Sequence, residues 1–297
     1  MIDRDRGAPT DPHAPTDADA SENPVDVAEA RERRADDIIR RKQEERVRSA
    51  IKSELSEDDA SEERPRPEDP GPLRDAVIEL ERIALPFDRP ILEDVSFAAF
   101  PGETLVIVGE SGTGKSTILK LILRLLQPDS GRVYVNGKDI AGLSFTEALE
   151  VRQQMGMVFQ SAALFDSMTV FENVAYPLRE HTDLNDDEIE ARVRQKLEFV
   201  DLDPDEVIEK LPAELSGGMK KRVGVARGMA NNAQIILYDE PTSGLDPLTT
   251  GTITRQIMKL QSELNVTSIV VTHDIRSAFR MATHIALLAD RTIRFFG

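Results

Sequence analysis

The sequence predicts an α/β fold in which a parallel sheet is covered on both faces by helices. Three observations point there. From about residue 73 onward, short apolar runs alternate with stretches of helical periodicity. A glycine-rich turn, Gly109-Glu110-Ser111-Gly112-Thr113-Gly114-Lys115-Ser116-Thr117, sits between one such run and a helical stretch. The composition also changes near residue 72. The first 72 residues hold 21 Asp and Glu against 13 Lys and Arg, no Phe, Tyr or Trp, and prolines at both ends.

That first segment cannot bury enough apolar surface to offset its ordering entropy, so a disordered tail is expected over 1–72. Within it, residues 27–55 are rich in Ala, Glu, Arg and Lys and read as a helix with a thin apolar stripe. Its basic cluster (Arg40, Arg41, Lys42, Arg46, Arg48) reads as a solvated helix face, with anionic lipid or an acidic partner as the alternative. Residues 64–72 read as a proline-rich linker. The 297 residues carry a net charge of −17, which gives a nucleic-acid partner no support. The chain has no cysteine, which excludes disulfides and thiolate metal sites. No apolar run approaches the ~18–20 residues that span a bilayer, and no signal peptide pattern opens the chain. A soluble or peripheral, cytoplasmic protein is expected.

The folded part, 73–297, begins with two alternating segments, 77–85 and 91–100, that read as strands. Residues 104–108 form an apolar strand, the glycine-rich turn follows, and 117–126 read as a helix. Strands are expected at 131–136 and 155–159. A mostly helical insertion spans about 161–215, with Asn185-Asp186-Asp187 opening a helix whose apolar positions include Ile189, Val193, Leu197 and Val200. Further helices are expected at 219–230, 249–264 and 277–281, with strands at 235–238, 267–271, 285–288 and 292–296.

The turn at 109–117 matches G-x-x-x-x-G-K-[ST], the phosphate-binding P-loop. A strand delivers the chain to a turn whose N–H groups face inward, and the next helix aims its N-terminus at the phosphates. A chance glycine-rich turn lacks that setting. Gly109, Ser111, Gly112, Gly114, Lys115, Ser116 and Thr117 are therefore candidate nucleotide-binding residues. Lys115 would reach the β- and γ-phosphates, and Ser116 would ligate Mg²⁺. A second apolar strand ends in Asp239-Glu240. Asp239 suits a Walker-B role toward Mg²⁺, and Glu240 suits polarisation of the attacking water. Two adjacent acids could instead cap a helix, but the carboxyl edge of a strand is where α/β folds bind ligands.

Further along lie Leu215-Ser216-Gly217-Gly218-Met219, Ser243-Gly244-Leu245-Asp246 and Thr272-His273-Asp274, with Phe159-Gln160 ending an earlier strand. Six pieces in this order, over about 75–297, resemble the ABC-type ATPases. The resemblance implies a P-loop NTPase core with an inserted helical subdomain, binding ATP and Mg²⁺ as a sandwich homodimer. The P-loop of one copy and Ser216, Gly217 and Gly218 of the other would enclose each ATP. Gln160 would contact Mg²⁺ and sense the γ-phosphate, His273 would hydrogen-bond the γ-phosphate, and Asp246 would couple the two sites. Phe87 is the candidate for stacking on adenine, one residue closer to the P-loop than is usual. His181 and His284 have no such context.

The run 157–180 and Leu215-Ser216-Gly217-Gly218-Met219-Lys220-Lys221-Arg222 look like the ATPases of Mla/MCE-type lipid transporters, where Met219 replaces the signature's usual glutamine. That resemblance implies phospholipid or related lipid transport with a multi-spanning permease, gripped through the helical insertion, and an MCE-domain lipid-binding protein. The location implied is peripheral, on the inner face of the membrane. An ABC ATPase for another substrate is the alternative, ahead of a non-transport ABC ATPase. Relatives usually extend past the last strand, whereas this sequence stops at Gly297; either a segment has been lost or the sequence is truncated, which leaves dimer contacts made by that extension open.

Overall fold

A computed structural model describes residues 75–86 and 90–297. The expected tail with its helix, the linker and Phe87 lie outside the described residues.

The strands fall into two sheets rather than one. β1 (Ile78–Pro86), β2 (Pro90–Ala99), β4 (Ser130–Val135) and β5 (Lys138–Asp139) form an antiparallel sheet in the order β2-β1-β4-β5. Asn136 and Gly137, at φ 49° and 74°, supply the two-residue turn that closes the β4–β5 hairpin. The central sheet has the order β10-β9-β3-β8-β7-β6. It comprises β3 (Thr104–Val108), β6 (Met155–Val158), β7 (Ile235–Asp239), β8 (Thr267–Thr272), β9 (His284–Ala289) and β10 (Thr292–Phe296). Only β10 runs antiparallel to its neighbour. The parallel sheet expected from the sequence is therefore joined by a separate antiparallel one. The physical reason lies in burial. Ile78 and Leu80 are buried while Glu79 and Glu81 are only half-buried, the mark of a one-sided strand. Every residue of β3 and β8 is buried, as a strand covered on both faces requires.

Alternation along β3 divides two cores. Leu105 and Ile107 join the layer between the two sheets, with Ile118, Leu119 and Ile122 of α1 (Lys115–Ile122). Val106 and Val108 face the opposite layer, built from α3 (Val170–His181), α4 (Asp186–Phe199), α6 (Gly217–Gly228) and α7 (Pro247–Leu264). The remaining helices are α2 (Phe145–Gln153), α5 (Pro204–Val207) and α8 (Ile275–Met281). α1 is shorter than expected, because Arg124 turns left-handed (φ 50°) just past its end.

The helical run between β6 and β7 breaks where its caps dictate. Thr169 and Asn185 each form a capping box, with Glu172 and Glu188. Buried Asn173 of α3 accepts a bond from Phe165 N and donates to the carbonyls of Phe165, Met168 and Thr169. Its side chain thus pins the loop that leads into the helix.

Candidate active site

β3 lies between β8 and β9, so its carboxyl end opens at the middle of the sheet. The chain must turn there in almost no space. A Cβ at Gly109 would meet the Leu288 carbonyl oxygen at 2.5 Å. Gly114, at φ 100°, occupies the left-handed position from which α1 starts. Ser111 and Gly112 stand exposed at the crest of the loop, and Thr117 is half-buried in the first turn of α1.

Lys115 is 5% exposed and folds back under the loop. Its ammonium donates to the carbonyls of Gly109 (2.8 Å) and Glu110 (2.7 Å) and lies 3.5 Å from Glu240 Oε1. Burial pushes this ammonium below the usual lysine range, with Glu240 and Asp239 pulling the other way. Ser116 Oγ donates to Asp239 Oδ1 at 2.8 Å, linking the first turn of α1 to the end of β7.

Glu240 follows at φ 48°, a left-handed conformation uncommon outside glycine. Its Oε2 accepts from Thr272 Oγ1 and His273 N, both at 3.3 Å, and lies 2.8 Å from His273 Nδ1. That last spacing requires a proton on Nδ1 if two acceptors are not to face each other. Gln160, just past β6, donates through Nε2 to Ser243 Oγ at 3.2 Å. It therefore lies over the turn that follows Glu240.

The remaining candidates form a second group. Ser216 caps α6 and accepts from Met219 N at 3.2 Å. Asp246 caps α7 through Leu248 N (3.0 Å), Thr249 N (3.1 Å) and Thr249 Oγ1 (2.5 Å), bonds that hold its carboxyl below the usual range. A Cβ on Gly218 would fall 2.6 Å from Thr249 Cγ2, so the starts of the two helices touch. Among the described residues no hydrogen bond joins Ser216, Gly217, Gly218 or Asp246 to Lys115, Ser116, Asp239, Glu240 or His273.

Some contributors escape a reading of the sequence. Lys221 donates to the carbonyls of Glu240 and Pro241 from within α6, where it reads only as part of a basic run. Arg227 holds the carbonyls of Ala162 and Ala163, both left-handed, each at 2.8 Å. It thereby braces the loop that carries Gln160.

The family model described as "ABC transporter" matches residues 92–243, just over half of the chain. The chain belongs to the ABC transporter family. The cassette is 42% identical over 207 residues to the "probable ribonucleotide transport ATP-binding protein" of Mycobacterium leprae, covering 70% of this chain and 59% of the relative. It is also 42% identical over 210 residues to the "intermembrane phospholipid transport system ATP-binding protein" of Escherichia coli K12, covering 71% of this chain and 77% of the relative. The match thus spans less than two thirds of the mycobacterial relatives' length. Among solved structures, a dimeric bacterial ABC transporter cassette superposes with a TM-score of 0.69 at 33% identity, covering 74% of this chain and 97% of that one. A post-hydrolysis dimer bound to ADP and Pi superposes at 0.68, also at 33% identity, with the same coverage of both chains. The expected α/β cassette fold is therefore borne out.

Proposed function

We propose that this chain binds and hydrolyses Mg-ATP as a homodimer and drives a multi-spanning permease that moves phospholipid. The observation that carries the hydrolytic reading is the meeting of Lys115, Ser116, Asp239, Glu240 and His273 at one edge of the sheet, beneath the glycine-rich loop. Loop N–H groups and the start of α1 suit a triphosphate, and Lys115 suits its β- and γ-oxygens. Glu240 is held from three sides with its carboxylate beside Lys115, placed to polarise a water for in-line attack on the γ-phosphorus. The new P–O bond forms as the bridge to the β-phosphate breaks, and the water's proton passes toward Glu240. His273, already bonded to that carboxylate, is placed to meet the γ-phosphate.

The donors fit Mg²⁺. Ser116 Oγ and Asp239 Oδ1 are hard oxygen ligands 2.8 Å apart, and Gln160 can add an amide oxygen. Among the described residues no cluster of three or more acids, histidines or cysteines forms a full metal cage. Mg²⁺ shared with phosphates needs only one or two protein ligands. When bound, it would neutralise charge on the phosphate oxygens.

Ser216 and Gly217 are exposed, and so is Leu248 beside Asp246. Such a face suits a second copy whose nucleotide meets the N-terminus of α6. Exposed Phe159, Phe165 and Tyr176 line a cleft of about 280 Å³ with Met157 and Arg227, where the lobe expected to grip the permease meets β6 and α6. No described helix is long and apolar enough to cross a membrane; the proposed location is peripheral, on the inner face beside the permease. An MCE-domain protein would complete the lipid route.

The two relatives are equally identical to this chain, and phospholipid is favoured over ribonucleotide because the run 157–180 and the Leu215–Arg222 signature with Met219 resemble lipid-transporter ATPases. The test is reconstitution in liposomes with the permease that co-purifies with this chain. ATP-dependent transfer of a fluorescent phospholipid is expected. Ribonucleotide uptake without lipid transfer would overturn the substrate assignment.

A further inference from the structure

Lys221 is 6% exposed, one of the most deeply buried cations among the described residues. No carboxylate pairs with it there. Its ammonium donates instead to two consecutive backbone carbonyls, Glu240 at 3.4 Å and Pro241 at 3.1 Å. Its neighbours on α6 are used elsewhere, since Arg222 reaches the Asp201 carbonyl at 2.7 Å. Burial pushes the Lys221 ammonium below the usual lysine range, and Glu240 is the one charge that pulls it back.

A desolvated ammonium held by neutral oxygens is an unfavourable arrangement unless it secures something else. What it secures is the turn at Glu240. That residue sits at φ 48°, a conformation that persists only where surrounding structure over-determines it. The Glu240 N–H bonds the Val271 carbonyl, and the Glu240 carbonyl accepts from Ser243 N as well as from Lys221. Backbone and carboxylate are thus fixed by different partners, Lys221 on the first and Lys115, Thr272 and His273 on the second.

We propose that Lys221 is a positioning residue for hydrolysis: it locks the left-handed turn that aims Glu240 and ties that turn to the helix whose N-terminus carries Ser216–Gly218. This rests on the hydrolytic role given to Glu240 above. It follows that one side chain joins the two halves of the site that a single copy contributes. A shift of α6, when its N-terminus meets the partner's nucleotide, would be felt at Glu240 of the same chain.

The test compares Lys221→Met, Lys221→Gln, Lys221→Arg, Glu240→Gln and the double variant Lys221→Met/Glu240→Gln in the full chain. Turnover, KM for ATP, affinity for a fluorescent ATP analogue and thermal midpoint are measured on each. Lys221→Met should lower kcat about tenfold to a hundredfold, as misplacing a reacting group by up to about 1 Å does, with KM and nucleotide affinity unchanged. Lys221→Arg, which keeps a charged donor, should recover part of the loss. The double variant should be no slower than Glu240→Gln alone, because Lys221 acts through that carboxylate. If Lys221→Met does not fold, Lys221→Gln decides by the same readouts. Normal kcat in folded Lys221→Met or Lys221→Gln, or multiplicative losses in the double variant, would overturn the proposal while leaving a slow Glu240→Gln intact. Full turnover in Glu240→Gln would instead overturn the hydrolytic reading itself.

Discussion

Ser116 and Asp239 stand 123 positions apart in the chain, yet their side chains share a 2.8 Å hydrogen bond. The contact joins the first turn of α1 to the end of β7, and both oxygens face the same edge of the sheet. Removing one should show in metal dependence rather than in nucleotide affinity alone. Ser116→Ala is expected to raise the Mg²⁺ concentration for half-maximal turnover about tenfold or more, the worth of one bond to a charged group. ATP-analogue binding in EDTA should stay near that of the parent chain. Unchanged Mg²⁺ dependence would remove Ser116 from the metal site.

Lys115 tests binding separately from chemistry. Its ammonium rests on two loop carbonyls, ready to exchange them for phosphate oxygens. Lys115→Ala should weaken ATP-analogue affinity by about 10- to 100-fold, in line with a lost charge-assisted bond. Equal loss of binding in Lys115→Ala and Glu240→Gln would erase the division between a binding and a hydrolytic residue.

Gly156 tests the packing beneath the site. A Cβ there would stand 1.9 Å from the Gly228 carbonyl oxygen, so β6 and α6 would have to move apart. Gly156→Ala should lower unfolding free energy by about 1–3 kcal/mol, as overpacking does. Gly142→Ala, with open space around it, should change it by less than about 0.5 kcal/mol. Denaturant titration of both variants checks the contrast.

Much of this site was legible because its chemistry is local in sequence. The strand–turn–helix around Gly109–Thr117 and the acids ending β7 announce themselves by residue type and spacing. The antiparallel sheet was half-legible. The alternation at Ile78 and Leu80 marked a one-sided strand, but nothing local says which sheet a strand joins. α2 went unread because it buries only Ala148 and Val151, too thin a stripe for periodicity, although Ser144 and Glu147 spell a capping box. Lys221 was illegible for a different reason. Its partners are backbone carbonyls at Glu240 and Pro241, and no residue pattern records where a carbonyl points.

Assembly bears on rate. Ser216 and Asp246 form a group apart from Lys115 and Glu240, and under the proposed homodimer one copy would supply two half-sites. A net charge of −17 adds repulsion that salt screens beyond ~8–10 Å. Turnover of the purified chain should rise faster than linearly with protein concentration. Tethering two copies on the permease should raise it further by supplying effective concentrations of millimolar order. Turnover per molecule that ignores both concentration and permease, in a chain shown to be monomeric, would argue against a composite site.

The most direct measurement compares Mg-ATP binding and hydrolysis by the parent chain and Glu240→Gln from matched preparations. If Glu240 polarises the attacking water, the variant binds the fluorescent ATP analogue as tightly as the parent. Its turnover should fall by about 10²-fold or more, the usual contribution of a positioned base. Equal turnover in the two proteins, or a parent chain that binds no ATP, would contradict hydrolysis at this site.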